Sequence, residues 1–166
     1  AHAGAQQYEV LSASVRASLS RAVTERSTVD WNDLDARAWV RAMTPRVQPF
    51  FPDEEAAREF LGLVRYEATR AGLDPHLVLA VIEVESNFNP YAISVAGARG
   101  LMQVMPFWLK EIGKPGDSLF RIQTNLRFGC TILKYYLQKE KGNLHAALKR
   151  YNGTREWRYP AKVYKA

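Results

Sequence analysis

The sequence predicts a mainly α protein, and three observations carry that reading. Apolar residues recur at helical spacing along most of the 166-residue chain. Residues suited to starting and stopping helices fall between the apolar runs. No segment of useful length alternates with the strand period of two, although "YAISVAG" has the makings of a short irregular hairpin.

The elements follow in order. Residues 6–23 and 31–43 both carry apolar residues at helical spacing, with Asp30 placed to cap the second. "TPRVQPFFPDEE" then brings together Pro45, Pro49 and Pro52, which predicts a linker or boundary. Asp53, Glu54 and Glu55 follow where a helix start favours acids, and that helix should reach Ala71. In "AGLDPHL", Gly72 suits a helix stop, Asp74 an N-cap and Pro75 the first helical position, so a helix is expected over 75–87. Pro90, Gly97 and Gly100 break the pattern, and further helices are expected near 101–112, 121–140 and 143–151. The expected organisation is a helical N-terminal extension over residues 1–50 and a second unit over 51–166.

Composition narrows the function classes. The chain is 47% apolar and 24% charged, as in an ordinary globular protein, and has no apolar run long enough to span a membrane. Its net charge of +6 favours an anionic partner, but the basic residues are scattered, so nucleic-acid binding is not expected. Cys130 is the sole cysteine, which excludes an internal disulfide; it should be a small buried residue one helical turn from Leu126 and Leu133. His2, His76 and His145 are dispersed, and neither a metal nor another cofactor is expected. Trp31, Trp39, Trp108 and Trp157 are read as packing residues. The opening "AHA" has the small-x-small pattern of a signal-peptidase site, a hint of export.

The chemistry centres on "AVIEVESNFNP", which sets Glu83 and Glu85 in an apolar run. On a wheel of about 100° per residue, Val78, Val81 and Ile82 fall within about 60° of Glu85, whereas Glu83 lies about 160° away, near Leu79, Ala80 and Asn87. Glu83 therefore reads as solvated or paired with a base. Two readings of Glu85 fit the wheel. It is either a rim carboxylate held by an arginine or backbone amides, or a desolvated carboxyl kept protonated and aimed into a cleft, as a general acid requires. The 25 residues from Ser86 to Lys110 contain no Asp or Glu. A two-carboxylate glycosidase needs a second acid about 5–9.5 Å away. Glu111 and Asp117 have exposed-looking contexts, and Glu67, Glu140 and Glu156 would have to fold back. The local absence favours chemistry run by one carboxylate.

The "ES" of Glu85-Ser86, the "SVAGARGLMQVMP" of residues 94–106 and the "RYNG" of residues 150–153 resemble the soluble lytic transglycosylase catalytic domain. This is a goose-type lysozyme-like family of bacterial peptidoglycan-cleaving enzymes. Asn125, Gly129 and "YYL" resemble a further family element and "RYPAKVYKA" its closing helix, so the resemblance covers residues 60–165. It implies a lysozyme-like helical fold with a glycan-binding groove, an envelope location and a peptidoglycan substrate. The implied reaction cleaves the β-1,4 bond between N-acetylmuramic acid and N-acetylglucosamine and leaves a 1,6-anhydromuramoyl end. Glu85 would act as acid and then base, with the substrate's N-acetyl group replacing a second carboxylate. The match assigns Ser94 to orienting that N-acetyl group, Gln103 and Met105 to the groove, Tyr151 to the neighbourhood of the carboxylate, and Asn152 to supporting Tyr151.

Gly97 and Gly100 would give the backbone close approach or positive φ. Each residue also has a plainer reading: Ser94 as a turn residue, Gln103 as a backbone cap, Met102 and Met105 as core, Tyr151 as a core ring. Arg150, where many members have Ala, and "TREW", where many are rich in Gly and Pro, predict a different groove lip. A hydrolytic muramidase and a non-catalytic wall-binding or scaffolding module remain competing readings. Residues 1–50 match nothing in the family and are candidates for contacting a cell-wall or secretion-machinery protein.

Overall fold

A computed structural model of the chain describes residues 5–154 and 158–166. His2, Glu156 and Trp157 lie outside the described residues. Among the described residues, the chain forms α1 (Ala13–Thr24), α2 (Leu34–Val47), α3 (Glu54–Arg70), α4 (Pro75–Ser86), α5 (Phe107–Ile112), α6 (Ile122–Lys139), α7 (Leu144–Asn152) and α8 (Arg158–Lys165). The mainly α expectation holds. The "YAISVAG" region forms only isolated bridges, Ile93 with Arg99 and Arg99 with Val104.

The caps account for most of the boundaries. Asp53 Oδ1 accepts from Ala56 N at 2.8 Å, and Asp74 Oδ1 accepts from His76 N at 2.9 Å, with Pro75 in the first turn. Gly72 adopts φ +74° after α3, and Leu73 N donates to Ala68 O at 2.8 Å, the pattern that closes a helix end. For α2, however, the cap is Asp33, which accepts from Asp35 N and Ala36 N, while Asp30 turns the chain three residues earlier by accepting from Asn32 N.

Three stretches depart from expectation. α1 starts at Ala13, capped by Ser12, and residues 6–11 run non-helically because Gln6 is engaged far along the chain. The proline-rich stretch is packed: Pro45 lies inside the last turn of α2, and Gln48–Phe50 form a 3-10 turn. Phe50 packs on Phe88 at 4.5 Å and Phe51 on Phe60 at 4.7 Å, so ring contacts hold the segment that the prolines suggested was a linker or boundary. Residues 101–106 form turns, and helix begins only at Phe107, because the backbone of this stretch is bonded to residues outside it.

α6 runs through the middle, with every residue from Asn125 to Leu133 buried. α3 packs on it with Leu61 and Val64, both fully buried, each contributing about 1.5–3 kcal/mol of apolar transfer. Leu19 and Val23 of α1 and Val40 and Val47 of α2 belong to the same apolar cluster as α3, α4 and α6. Buried charge is handled by pairing: the Arg127 guanidinium donates to Glu67 at 2.9 Å, and to Ser27 O and the Glu25 carbonyl. Burial nevertheless holds the Glu67 carboxyl above the usual range, outweighing Arg127. Cys130 is buried, with its Sγ 4.0 Å from Met102 Sδ.

Candidate active site

α4 is buried on nearly all sides from Val78 to Ile82, so Glu83 and Glu85 fall in its last turn, where the apolar packing opens. Leu79 and Ala80, which share Glu83's side of the wheel, are as buried as the opposite side. Glu83 leaves the core because it is near the helix end, where Arg46 Nη2 approaches its Oε2 to 3.5 Å. Glu85 is half-buried and points into protein.

Desolvation pushes the Glu85 pKa up to about 8, against the opposing pull of hydrogen bonds from Tyr159 and Asn152. Its position at a helix C-terminus, the negative end of the macrodipole, acts in the same direction as burial. Asn152 Nδ2 donates to Glu85 Oε1 at 3.5 Å. The buried Tyr159 hydroxyl, carried by α8, also donates to this carboxylate.

Beyond Glu85 the chain leaves the helix through two consecutive left-handed residues, Asn87 (φ 50°) and Phe88 (φ 63°). Gln103 is a third, with φ 54°. Such conformations cost about 1–3 kcal/mol each and survive where the surroundings over-determine them. Here the surroundings are explicit. Ser86 Oγ donates to Leu101 O at 2.7 Å, joining the end of α4 to the 101–106 turn. Asn125 Oδ1 accepts from Met102 N at 2.8 Å, and its Nδ2 donates to Arg99 O and Leu119 O. Gly100, at φ +74°, has no room for a side chain: a Cβ would lie 2.5 Å from Leu119 O and closer still to Asn125 Nδ2. Gly129 admits Met102, whose side chain a Cβ there would strike.

The sequence-derived residues divide into two groups. Asn152 reaches Glu85 directly. Ser94, half-buried, accepts from Ala98 N at 3.0 Å and so holds its own turn, while Gly97 at φ +94° has open space around it. Gln103 is buried and donates to Ala92 O and Gly100 O, which matches its reading as a backbone cap. Met105 is half-buried beside the apolar core. Tyr151 is fully buried, and its hydroxyl donates to Met102 O at 2.8 Å. Burial raises its pKa, and it lies near enough to Glu85 for that carboxylate to raise it further. Tyr159 is a second tyrosine beside the carboxylate, and it hydrogen-bonds Glu85 itself. Sequence reasoning read "RYPAKVYKA" only as a closing helix, although Tyr159 and Val163, one turn apart and both buried, mark its inward face.

The other acids are committed elsewhere: Glu67 to Arg127, Glu111 to Arg16 at 2.8 Å, and Glu140 to Arg150 at 2.6 Å. Asp117 Oδ2 accepts from Lys114 N. Among the described residues, no second acid contributes to the shift at Glu85. Arg150, the departure beside Tyr151, also pairs with Glu9 at 2.9 Å, joining α7 to the N-terminal segment. A cavity of about 530 Å³ between α2 and α3, lined in part by Trp31, Arg41 and Glu55, contains none of these residues.

Comparison with known proteins identifies the family. Membrane-bound lytic murein transglycosylase C of Actinobacillus pleuropneumoniae serotype 5b is 58% identical over 53 residues, 32% of this chain and 14% of that protein. Its namesake in Mannheimia succiniciproducens is 45% identical over 86 residues, 46% of this chain and 24% of that protein. The chain thus spans under a quarter of the length of these relatives. Among solved structures, the 70 kDa soluble lytic transglycosylase of Escherichia coli shares the fold at TM-score 0.50 and 22% identity, covering 90% of this chain and 26% of that one. Lytic transglycosylase Slt of Pseudomonas aeruginosa does so at TM-score 0.51 and 23% identity, covering 79% and 24%. The profile of the transglycosylase SLT domain matches residues 62–162, from the middle of α3 into α8, and the chain belongs to that family.

Proposed function

We propose that this chain is the catalytic part of a peptidoglycan lytic transglycosylase in which Glu85 serves first as acid and then as base. The observation that carries this is a carboxyl shifted to about 8 by burial, with hydrogen-bond donors and no second acid around it among the described residues. Such a group keeps its proton at neutral pH and can deliver it to the glycosidic oxygen as the bond to C1 breaks. The substrate's N-acetyl carbonyl stabilises the anomeric carbon, a recognised alternative to a second carboxylate. Glu85, now ionised, takes the proton from the muramoyl O6 hydroxyl as that oxygen attacks C1. The anhydro product forms without water.

Ser94, Gln103, Met105 and Asn152 form or support the sugar-facing surface, Tyr151 supports it from within, and Gly97 and Gly100 shape its turns. Residues 51–166 carry the site and residues 1–50 brace it, and the substrate places the protein in the cell envelope. The test is mass spectrometry of sacculi digested with purified protein. Soluble muropeptides bearing 1,6-anhydro ends support the proposal. Reducing ends alone would make the protein a hydrolase, and binding without release would make it a wall-binding module.

A further inference from the structure

Gln6 lies outside the family-matched residues, yet it is 3% exposed and uses its whole amide. Its Oε1 accepts from Met105 N at 2.9 Å, while its Nε2 donates to Gln103 O at 3.1 Å and Tyr151 O at 2.8 Å. One side chain therefore satisfies three backbone groups on two separate segments, the 101–106 turn and the last turn of α7. Only a primary amide does this without charge: a carboxylate lacks the two donors, and an ammonium lacks the acceptor.

The contacts around Gln6 act the same way. Ala5 lies so close to Gly153 that a Cβ on the glycine would strike the Ala5 carbonyl. The Tyr8 ring meets Phe107 edge-on at 5.5 Å, and Glu9 pairs with Lys139 and Arg150. The segment from Ala5 to Leu11 is thus a strap laid between the two segments. Its attachment points are informative: Gln103 holds a left-handed conformation, and Tyr151 directly precedes Asn152, which reaches Glu85.

We infer that Gln6 is a positioning residue: through Gln103, Met105 and Tyr151 it sets the groove-side turn and the Asn152 amide relative to Glu85. The inference rests on the reading of Glu85 as the reacting carboxyl. It gives residues before the family-matched region a part in the site.

The test compares Gln6→Ala, Gln6→Glu and the similarly long Gln6→Met with wild type, and uses Val10→Ser, an exposed change on the same strap, as control. Muropeptide release from sacculi is measured for kcat and KM, alongside thermal unfolding. The expected result is a kcat lowered by roughly 10- to 100-fold in all three Gln6 variants, with KM little changed, in protein that remains folded at the assay temperature. Val10→Ser should match wild type. Wild-type kcat in the Gln6 variants, or losses that merely follow the unfolded fraction, would overturn the inference.

A second readout does not depend on turnover. The Asn152 side-chain amide resonances should shift in Gln6→Glu or Gln6→Met, whichever is folded. If wild type releases no muropeptide, the proposed reaction fails. If the Asn152 resonances stay in place, the strap fails independently of the reaction.

Discussion

Asn152 donates to Glu85 across 67 residues of sequence, and the carboxylate it meets is one that burial keeps protonated near neutral pH. Two opposing influences therefore converge on one group: apolar packing raises its pKa, and two side-chain donors restrain the rise.

The first prediction concerns stability. In the folded protein Glu85 keeps its proton up to about pH 8, whereas in the unfolded chain it loses it near the ordinary 4.5. Between those values the unfolded state binds fewer protons, so this group lowers stability as pH rises, by at most about 1.4 kcal/mol per pH unit. Glu85→Gln removes the titration and should gain on wild type through this window, with no further gain above it. Urea unfolding at a series of pH values measures the difference. The same variant should lose turnover by about a thousandfold or more while still binding sacculi.

Tyr159 gives a second prediction. Its hydroxyl lowers the Glu85 pKa, so Tyr159→Phe should move the alkaline limb of the pH–rate profile upward from its wild-type position near 8. Loss of one hydrogen bond to the reacting group should also slow turnover by about tenfold. A limb that moved downward would contradict the geometry.

The two site glycines separate conformation from space. Both have positive φ, but a side chain at Gly97 meets nothing within 4 Å, whereas one at Gly100 collides with Asn125 and the Leu119 carbonyl. Gly97→Ala should cost about 1–2 kcal/mol, and Gly100→Ala about 3 kcal/mol or more once the collision is added. Chemical denaturation of the two variants gives the comparison directly.

Arg127 supplies a fourth prediction. Arg127→Ala strands the buried Glu67 carboxyl and frees the Glu25 and Ser27 carbonyls, and should destabilise by about 3–5 kcal/mol. Adding Glu67→Leu should recover part of the loss, and a double variant no more stable than the single one would show that the carbonyls, not the carboxyl, dominate.

Local signals were legible where their causes are local. The Asp53 and Asp74 caps, the Gly72 stop and the different fates of Glu83 and Glu85 all depend on neighbours within a turn or two. The wheel set the two glutamates on opposite sides of α4, yet both are half-buried, and nearness to the helix end matters as much as the face, since Leu79 and Ala80 are buried beside Glu83's azimuth. What remained hidden was set by distant partners. Gln6 is bonded to residues 97 and 145 positions away, which is why α1 starts later than its pattern suggests. Tyr159 sits in a helix whose inward face becomes meaningful only once α4 lies against it. Pro45 lies inside the last turn of α2, where its missing N–H removes one intrahelical bond, and the helix ends two residues later at Val47.

The 2.7 Å bond from Ser86 to Leu101, together with the Asn125 and Gln6 bonds to the same turn, leaves this part of the candidate site little to rearrange on binding the proposed substrate. Ordering entropy that a mobile loop would surrender on binding has already been lost during folding. Under the proposed function, association with a glycan strand should therefore be governed by desolvation of the proposed sugar-facing surface and by the strand's own loss of freedom, and it should change little when solvent viscosity or temperature alters loop dynamics elsewhere in the chain.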